Sequence, residues 1–226
     1  MGNIFKKYLI HENRIIFKPN FNNSLESYYK LISKYDQLIF SNNDPITIFT
    51  SLKNNEYEYY RQISLFNQPI NLLKSPNIKH LCLGYLFNNN LILNDDLEYL
   101  LFCYGSVYNK PIELNKSLLY CEFGKNFNSV IKLNDELLKL YFGDDFNQIL
   151  VLNNNLQFLV LGNNFNQPIQ FNDNLKYLKL GTRFNQKINL PNIEILILNT
   201  NNQYIIDTLP ESIEILELGA MFNLPI

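Results

Sequence analysis

Residues that carry catalytic or metal-binding chemistry are scarce in this chain. Its 226 residues include only two histidines, His11 and His80, far apart, and three cysteines, Cys82, Cys103 and Cys121. No Cys-x-x-Cys pair occurs, so a zinc site would lack two of its ligands, and neither metal nor cofactor is expected. The Gly-x-Ser-x-Gly, His-Glu-x-x-His, P-loop and Gly-x-Gly-x-x-Gly patterns are all missing. No apolar run comes near the ~18 residues of a membrane-spanning helix, and the N-terminus lacks the apolar region of a signal peptide. The formal net charge is −2 and no Lys/Arg stripe is present, which leaves no electrostatic ground for binding nucleic acid or an anionic membrane. The opening Met-Gly-Asn-Ile-Phe-Lys has Lys6 where an N-myristoylation start carries Ser or Thr. The acidic pairs Asp95-Asp96 and Asp144-Asp145 read as solvated turn residues. The thiols are expected to be reduced, in a cytoplasmic setting.

Glycine is scarce too, and its placement is the most informative feature. Of eight glycines, only Gly2 lies outside one repeated frame. Gly84, Gly105, Gly124, Gly143, Gly162, Gly181 and Gly219 are each followed three residues later by an aromatic residue and then Asn: Phe87-Asn88, Tyr108-Asn109, Phe127-Asn128, Phe146-Asn147, Phe165-Asn166, Phe184-Asn185 and Phe222-Asn223. The first five spacings are 21, 19, 19, 19 and 19 residues. A fixed period near twenty means stacked identical units. One unit reads Leu175, Leu178, Leu180, Gly181, Phe184, Asn185, Ile188, Leu190. Asn199 fills the glycine slot of the penultimate unit, which fits a backbone needing positive φ.

These slots predict two short extended segments and two turns per unit. The run Leu178-Lys179-Leu180 alternates as a half-buried strand does. The ten residues between Phe127 and Leu137, and their often proline-bearing counterparts, leave no room for a helix. The expected fold is mostly β: a right-handed parallel solenoid of about eight coils of 19–21 residues. Two extra residues between Leu97 and Gly105 keep strand parity and read as a lengthened strand or a bulge. Cys82 and Cys103 share the slot two before glycine and so are expected on adjacent coils; Cys121 is expected inside.

Two columns of residues follow from the frame. Asn67, Asn88, Asn109, Asn128, Asn147, Asn166, Asn185 and Asn223 are expected to form a structural ladder of buried amides that satisfies turn backbone. In the leucine strand, slots two and four before glycine point away from the core. There Tyr120, Tyr141, Phe158, Val160, Tyr177, Ile195, Ile197 and Ile215 form a contiguous apolar strip, expected to be exposed and to bind a protein partner. Cross-strand packing, or cover by the N-terminal region, would also account for these residues.

Residues 1–60 lie before the repeats (61–226) and read as a small mixed α/β cap with a hairpin around His11-Glu12-Asn13. A helix is expected to start near Asn23–Glu26, with Leu25, Tyr28, Ile32 and Tyr35 on one face. The chain stops at Pro225-Ile226, directly after a repeat signature, so the last coil's edge is expected to be exposed or to self-associate.

The repeated unit resembles the FNIP repeat family, with near-consensus copies at Phe66-Asn67-Gln68-Pro69-Ile70 and Phe165-Asn166-Gln167-Pro168-Ile169, and a weaker one at Asn43-Asp44-Pro45-Ile46. The resemblance covers roughly residues 60–226. It implies a leucine-rich-repeat-like solenoid of the kind abundant in social amoebae and in giant DNA viruses of amoebae. It also implies a cytoplasmic setting and, for a viral protein, a partner in the host. Many members carry an F-box and serve ubiquitin ligases. No Leu-Pro-x-Glu-type F-box opening occurs in residues 1–60. The expected function is a non-catalytic protein-interaction scaffold. The alternatives are a ligase substrate-recognition subunit with a diverged or missing F-box, and an enzyme with a site in the N-terminal region.

Overall fold

A run such as Tyr177-Leu178-Lys179-Leu180 sends Leu178 and Leu180 to one face and Tyr177 and Lys179 to the other, and only stacking against a neighbour can bury the leucine face. The computed structural model, which describes residues 7–40, 64–220 and 222–224, shows how that stacking is achieved. The Asn43–Ile46 signature, the Met1–Lys6 start and the Pro225-Ile226 end lie outside the described residues.

The protein is a mostly β, leucine-rich-repeat-like parallel solenoid of about ten turns. Among the described residues its main sheet has eleven strands: β1 (Tyr8–His11), β2 (Arg14–Phe17), β3 (Gln37–Phe40), β5 (His80–Leu83), β7 (Tyr99–Phe102), β9 (Tyr120–Glu122), β11 (Lys139–Tyr141), β12 (Phe158–Leu161), β13 (Tyr177–Leu180), β14 (Ile195–Leu198) and β15 (Ile215–Leu218), in that spatial order. From β2 to β15 every pairing is parallel; β1 alone is antiparallel, joined to β2 by a hairpin. Short back strands pair as β4 (Ile70–Asn71) with β6 (Leu91–Ile92) and β8 (Ile112–Glu113) with β10 (Ile131–Lys132). Among the described residues helix is confined to single turns: α1 (Tyr29–Ile32), a 3-10 turn (Leu72–Lys74) and α2 (Gln203–Ile206).

The parallel ladder begins at Arg14, not near residue 61. β2 and β3 lie in the region expected to cap the solenoid, and they pair with each other and with β5 in the same register as every later coil. Phe21 stacks on Phe66 at 5.8 Å, and Asn22 supplies the first rung of the asparagine ladder. The dipeptide Phe21-Asn22 is thus a repeat signature that the frame counted from Gly84 passes over. The helix starts later than expected: Ser24 takes the Glu26 N–H in a turn, and α1 buries Tyr29 and Ile32.

Inside, the aromatic residue of each unit forms one spine. Phe66, Phe87, Tyr108, Phe127, Phe146, Phe165 and Phe184 stack at successive centroid distances of 6.1, 5.8, 6.1, 6.0, 5.9 and 6.0 Å, all buried. At β15 the inward Leu216 and Leu218 are only half-buried, whereas Leu178, Leu180, Leu196 and Leu198 are at most 1% exposed.

The glycine column has a different cause from the one expected. None of the described glycines has positive φ, and the only positive φ among the described residues is Glu12, at 52°, in the β1–β2 hairpin. At Gly124, Gly143, Gly162 and Gly181 the preceding coil's backbone passes through the space a side chain would occupy. A Cβ on Gly143 would lie 2.5 Å from Lys125 Cα and 2.6 Å from the Gly124 oxygen. Asn199 in this column therefore owes nothing to left-handed tolerance.

The two-residue insertion neither lengthens β7 nor shifts its parity. Cys82 pairs with Leu101, and Leu101 with Glu122, so continuing that register sets Cys103 opposite Gly124. Cys103 takes the glycine slot and Tyr104-Gly105 bulge outward in the turn. Cys82 and Cys103 are therefore not column neighbours, and all three cysteines are free thiols.

Candidate interaction face

The outward side chains of the parallel strands fall into two columns. One runs Arg14, Gln37, His80, Tyr99, Tyr120, Lys139, Phe158, Tyr177, Ile195, Ile215; the other runs Ile16, Ile39, Cys82, Leu101, Glu122, Tyr141, Val160, Lys179, Ile197, Glu217. Tyr120, Phe158, Tyr177, Ile195 and Ile215 thus share one column, and Tyr141, Val160 and Ile197 the other. Tyr99 and Leu101 belong to the same face. Counting back from Gly105 misplaces them by two residues, and counting from Cys103 restores them.

The strip is less open than expected. Of its eight residues only Ile215, at 47%, is exposed; the others are half-buried. Neighbouring strands lie about 4.8 Å apart, close enough for outward rings to cover one another. Tyr120 stacks on Tyr99 at 5.9 Å and on Tyr141 at 5.3 Å, Phe158 stacks on Tyr177 at 5.7 Å, and Lys139 Nζ sits 4.4 Å over Phe158. Toward the N-terminal strands the face closes: Ile16, Ile39, Cys82 and Leu101 form a second apolar cluster, each at most 8% exposed.

Glu122 is the one carboxylate on this face between β9 and β11. It accepts a hydrogen bond of 2.8 Å from the Tyr120 hydroxyl, yet burial beside Leu101 and Tyr141 pushes its pKa up. A raised folded-state pKa adds stability that is complete below the unfolded carboxyl value and is lost as pH rises through the folded one. Glu122→Gln keeps an acceptor for Tyr120 and removes the ionised form. It is expected to raise the melting temperature at pH 7 by about 2 °C or more, and the gain should vanish as the pH approaches 4. A gain that persists unchanged at low pH would contradict this assignment.

Burial also sets the chemistry of the thiols. It pushes Cys82 and Cys103 up to about 12 and Cys121 well above the ordinary thiol value, so all three stay protonated and weakly nucleophilic at neutral pH. Burial pushes Tyr141 up to about 12, with the Glu122 charge adding to the effect, and lowers His80 despite the nearby Asp36 and Glu98 carboxylates. Among the described residues no group of three or more His, Cys, Asp or Glu could hold a metal ion, and no helix is long and apolar enough to cross a membrane.

The asparagines after the aromatic spine lie in one column. Each Oδ1 accepts the backbone N–H of the next rung: Asn67 from Asn88, Asn88 from Asn109, Asn109 from Asn128, Asn128 from Asn147, Asn147 from Asn166 and Asn166 from Asn185, at 2.8–3.1 Å. Asn22 precedes Asn67, and the Asn223 N–H bonds to Asn201 Oδ1 at 3.2 Å, so Asn201 holds the rung after Asn185. Contrary to expectation these amides sit at the surface, exposed or half-buried, because the turn that carries them faces solvent while the ring before it faces inward.

A second asparagine column was not foreseen. Asn94, Asn115, Asn134, Asn153 and Asn172 donate from Nδ2 to carbonyls of the preceding coil, as Asn134 does to Lys116 at 3.0 Å and Leu118 at 2.9 Å. Its signal is plain in hindsight: each Asn lies three residues before Leu97, Leu118, Leu137, Leu156 or Leu175. Asn147→Ala, at the wetter column, is expected to lower stability by about 0.5–1.5 kcal/mol, and Asn134→Ala by about 1–3 kcal/mol because carbonyls are left unpaired beneath it. Urea midpoints of the two variants in the reverse order would refute this ranking.

No protein-family model matches the chain, and no curated protein matches it. Among solved structures the chain is similar to CroV588 of a giant virus, described as a novel circular LRR protein structure, with a TM-score of 0.56 and 24% identity over 96% of this chain. The chain spans 45% of that protein's length. The likeness establishes the fold: this protein is a leucine-rich-repeat-like solenoid.

Proposed function

We propose that the chain is a non-catalytic protein-interaction scaffold of FNIP type. Its working surface is the outward strand face carrying Tyr120, Tyr141, Phe158, Val160, Tyr177, Ile195, Ile197 and Ile215. One observation carries the reading: large apolar side chains occupy the face of the sheet that does not line the solenoid core, where a purely solvated surface would be polar. Solenoids offer such extended faces to partners. The free, protonated thiols suit a reducing compartment, and the cytoplasm is the proposed location.

The test compares two double variants as bait in an amoeba lysate. Phe158→Ser with Ile197→Ser alters the strip. Ile149→Ser with Val151→Ser alters two side chains on the opposite side of the coil, 75% and 81% exposed. Circular dichroism checks that both remain folded. The first variant is expected to lose recovered proteins at least tenfold and the second to keep them. Retention by the strip variant, or loss only from the opposite side, would overturn the proposal.

A further inference from the structure

The four strands β12–β15 present a regular apolar row. Phe158, Tyr177, Ile195 and Ile215 lie on consecutive strands in one column, so three inter-strand steps span about 14 Å. The adjacent column on β13–β15 reads Lys179, Ile197, Glu217, in register. Lys179 and Glu217 are two strands apart, about 9–10 Å, too far to pair, and neither has an ion-pair partner among the described residues. The other charges beside the row are differently placed. Lys176 Nζ pairs with Glu194 at 2.7 Å, Lys139 lies over Phe158, and Glu214 is exposed immediately before β15, outside the two outward columns. The face is thus an apolar row with one uncompensated cation and one uncompensated anion on either side of Ile197.

That arrangement selects a partner. An entirely apolar occupant would strip water from Lys179 and Glu217 and leave both unpaired, a penalty that often exceeds what apolar contact returns. An occupant of one charge sign would repel one of the two. Resting on the scaffold reading above, we propose that β12–β15 dock an amphipathic segment of a protein partner. Its apolar side chains seat on Phe158, Tyr177, Ile195, Ile197 and Ile215, with an acidic residue over Lys179 and a basic residue over Glu217. The two charges then set the direction in which the segment lies, since electrostatic complementarity chiefly fixes register and specificity.

The probe is a random dodecapeptide display library selected on the purified full-length chain. Selected sequences are synthesised and titrated by fluorescence anisotropy against the natural chain, the Phe158→Ser/Ile197→Ser variant, Lys179→Glu, Glu217→Lys and the double reversal. Circular dichroism confirms that each variant is folded. The expected result is peptides carrying an apolar line and both charge signs, weakened at least tenfold by the strip variant and by each single reversal. Peptides that depend on the strip but bind both charge variants within twofold of the natural chain would overturn this inference and leave the scaffold face standing. Peptides indifferent to the strip variant, or no selected peptides, would overturn both. A dimer of the natural chain that Phe158→Ser/Ile197→Ser abolishes would show a second copy as the occupant and would also overturn it.

Discussion

Gly162→Ala is expected to lower stability by about 3 kcal/mol or more, a drop in melting temperature of roughly 6–12 °C for a chain of this size. A Cβ at this position would lie 2.7 Å from Asp144 Cα and closer still to the Gly143 carbonyl group. These are backbone atoms of the preceding coil, locked by ladder bonds on both sides, so no rotamer change relieves the clash. Two coils must separate, and in a solenoid the interface between neighbours holds most of the stability. Gly105→Ala is the control. Its Cβ would meet only the Tyr85 ring, at 3.0 Å, which is itself 42% exposed and free to swing away. That variant should lose less than about 1 kcal/mol. Equal melting temperatures for the two variants would mean that close coil stacking does not account for the glycine column.

Phe146→Ala is expected to destabilise by about 3–5 kcal/mol. Phe146 is completely buried and stacks against Phe127 at 6.0 Å, Phe142 at 3.7 Å and Phe165 at 5.9 Å. Truncation leaves a gap in the middle of the spine that the coils above and below cannot close, because ladder spacing holds them apart. Phe146→Leu restores part of the volume and should recover about half of the loss. A urea midpoint for Phe146→Ala within about 1 kcal/mol of the natural chain would show that the spine packs loosely enough to collapse.

Much of the architecture was legible in the sequence because the repeat writes the same local rules many times. The inward leucines, the aromatic before asparagine and the exclusion of long helices all follow from spacing within about nineteen residues. The same reading missed what depends on contacts between coils. The copy at Phe66-Asn67 and the glycine frame from Gly84 put the start of the solenoid near residue 61. Phe21-Asn22, β2 and β3 show the ladder already running by Arg14. Their glycine-free coil disguised it.

For the candidate face the limits were of the same kind. Alternation alone identified Phe158, Val160, Tyr177, Ile195 and Ile197 as outward. It could not tell that Tyr99 and Leu101 join them, since that depends on which side of the strand the two inserted residues bulge. Nor could it tell that rings from neighbouring strands half-cover one another, or that Lys179 and Glu217 stay unpaired. By itself the sequence determined the period and the buried slots, because each is a property of one coil. Only the tertiary structure decided why the column is glycine, which asparagines are wet and which outward side chains remain available, because each of these is set by the backbone of the neighbouring coil about 4.8 Å away.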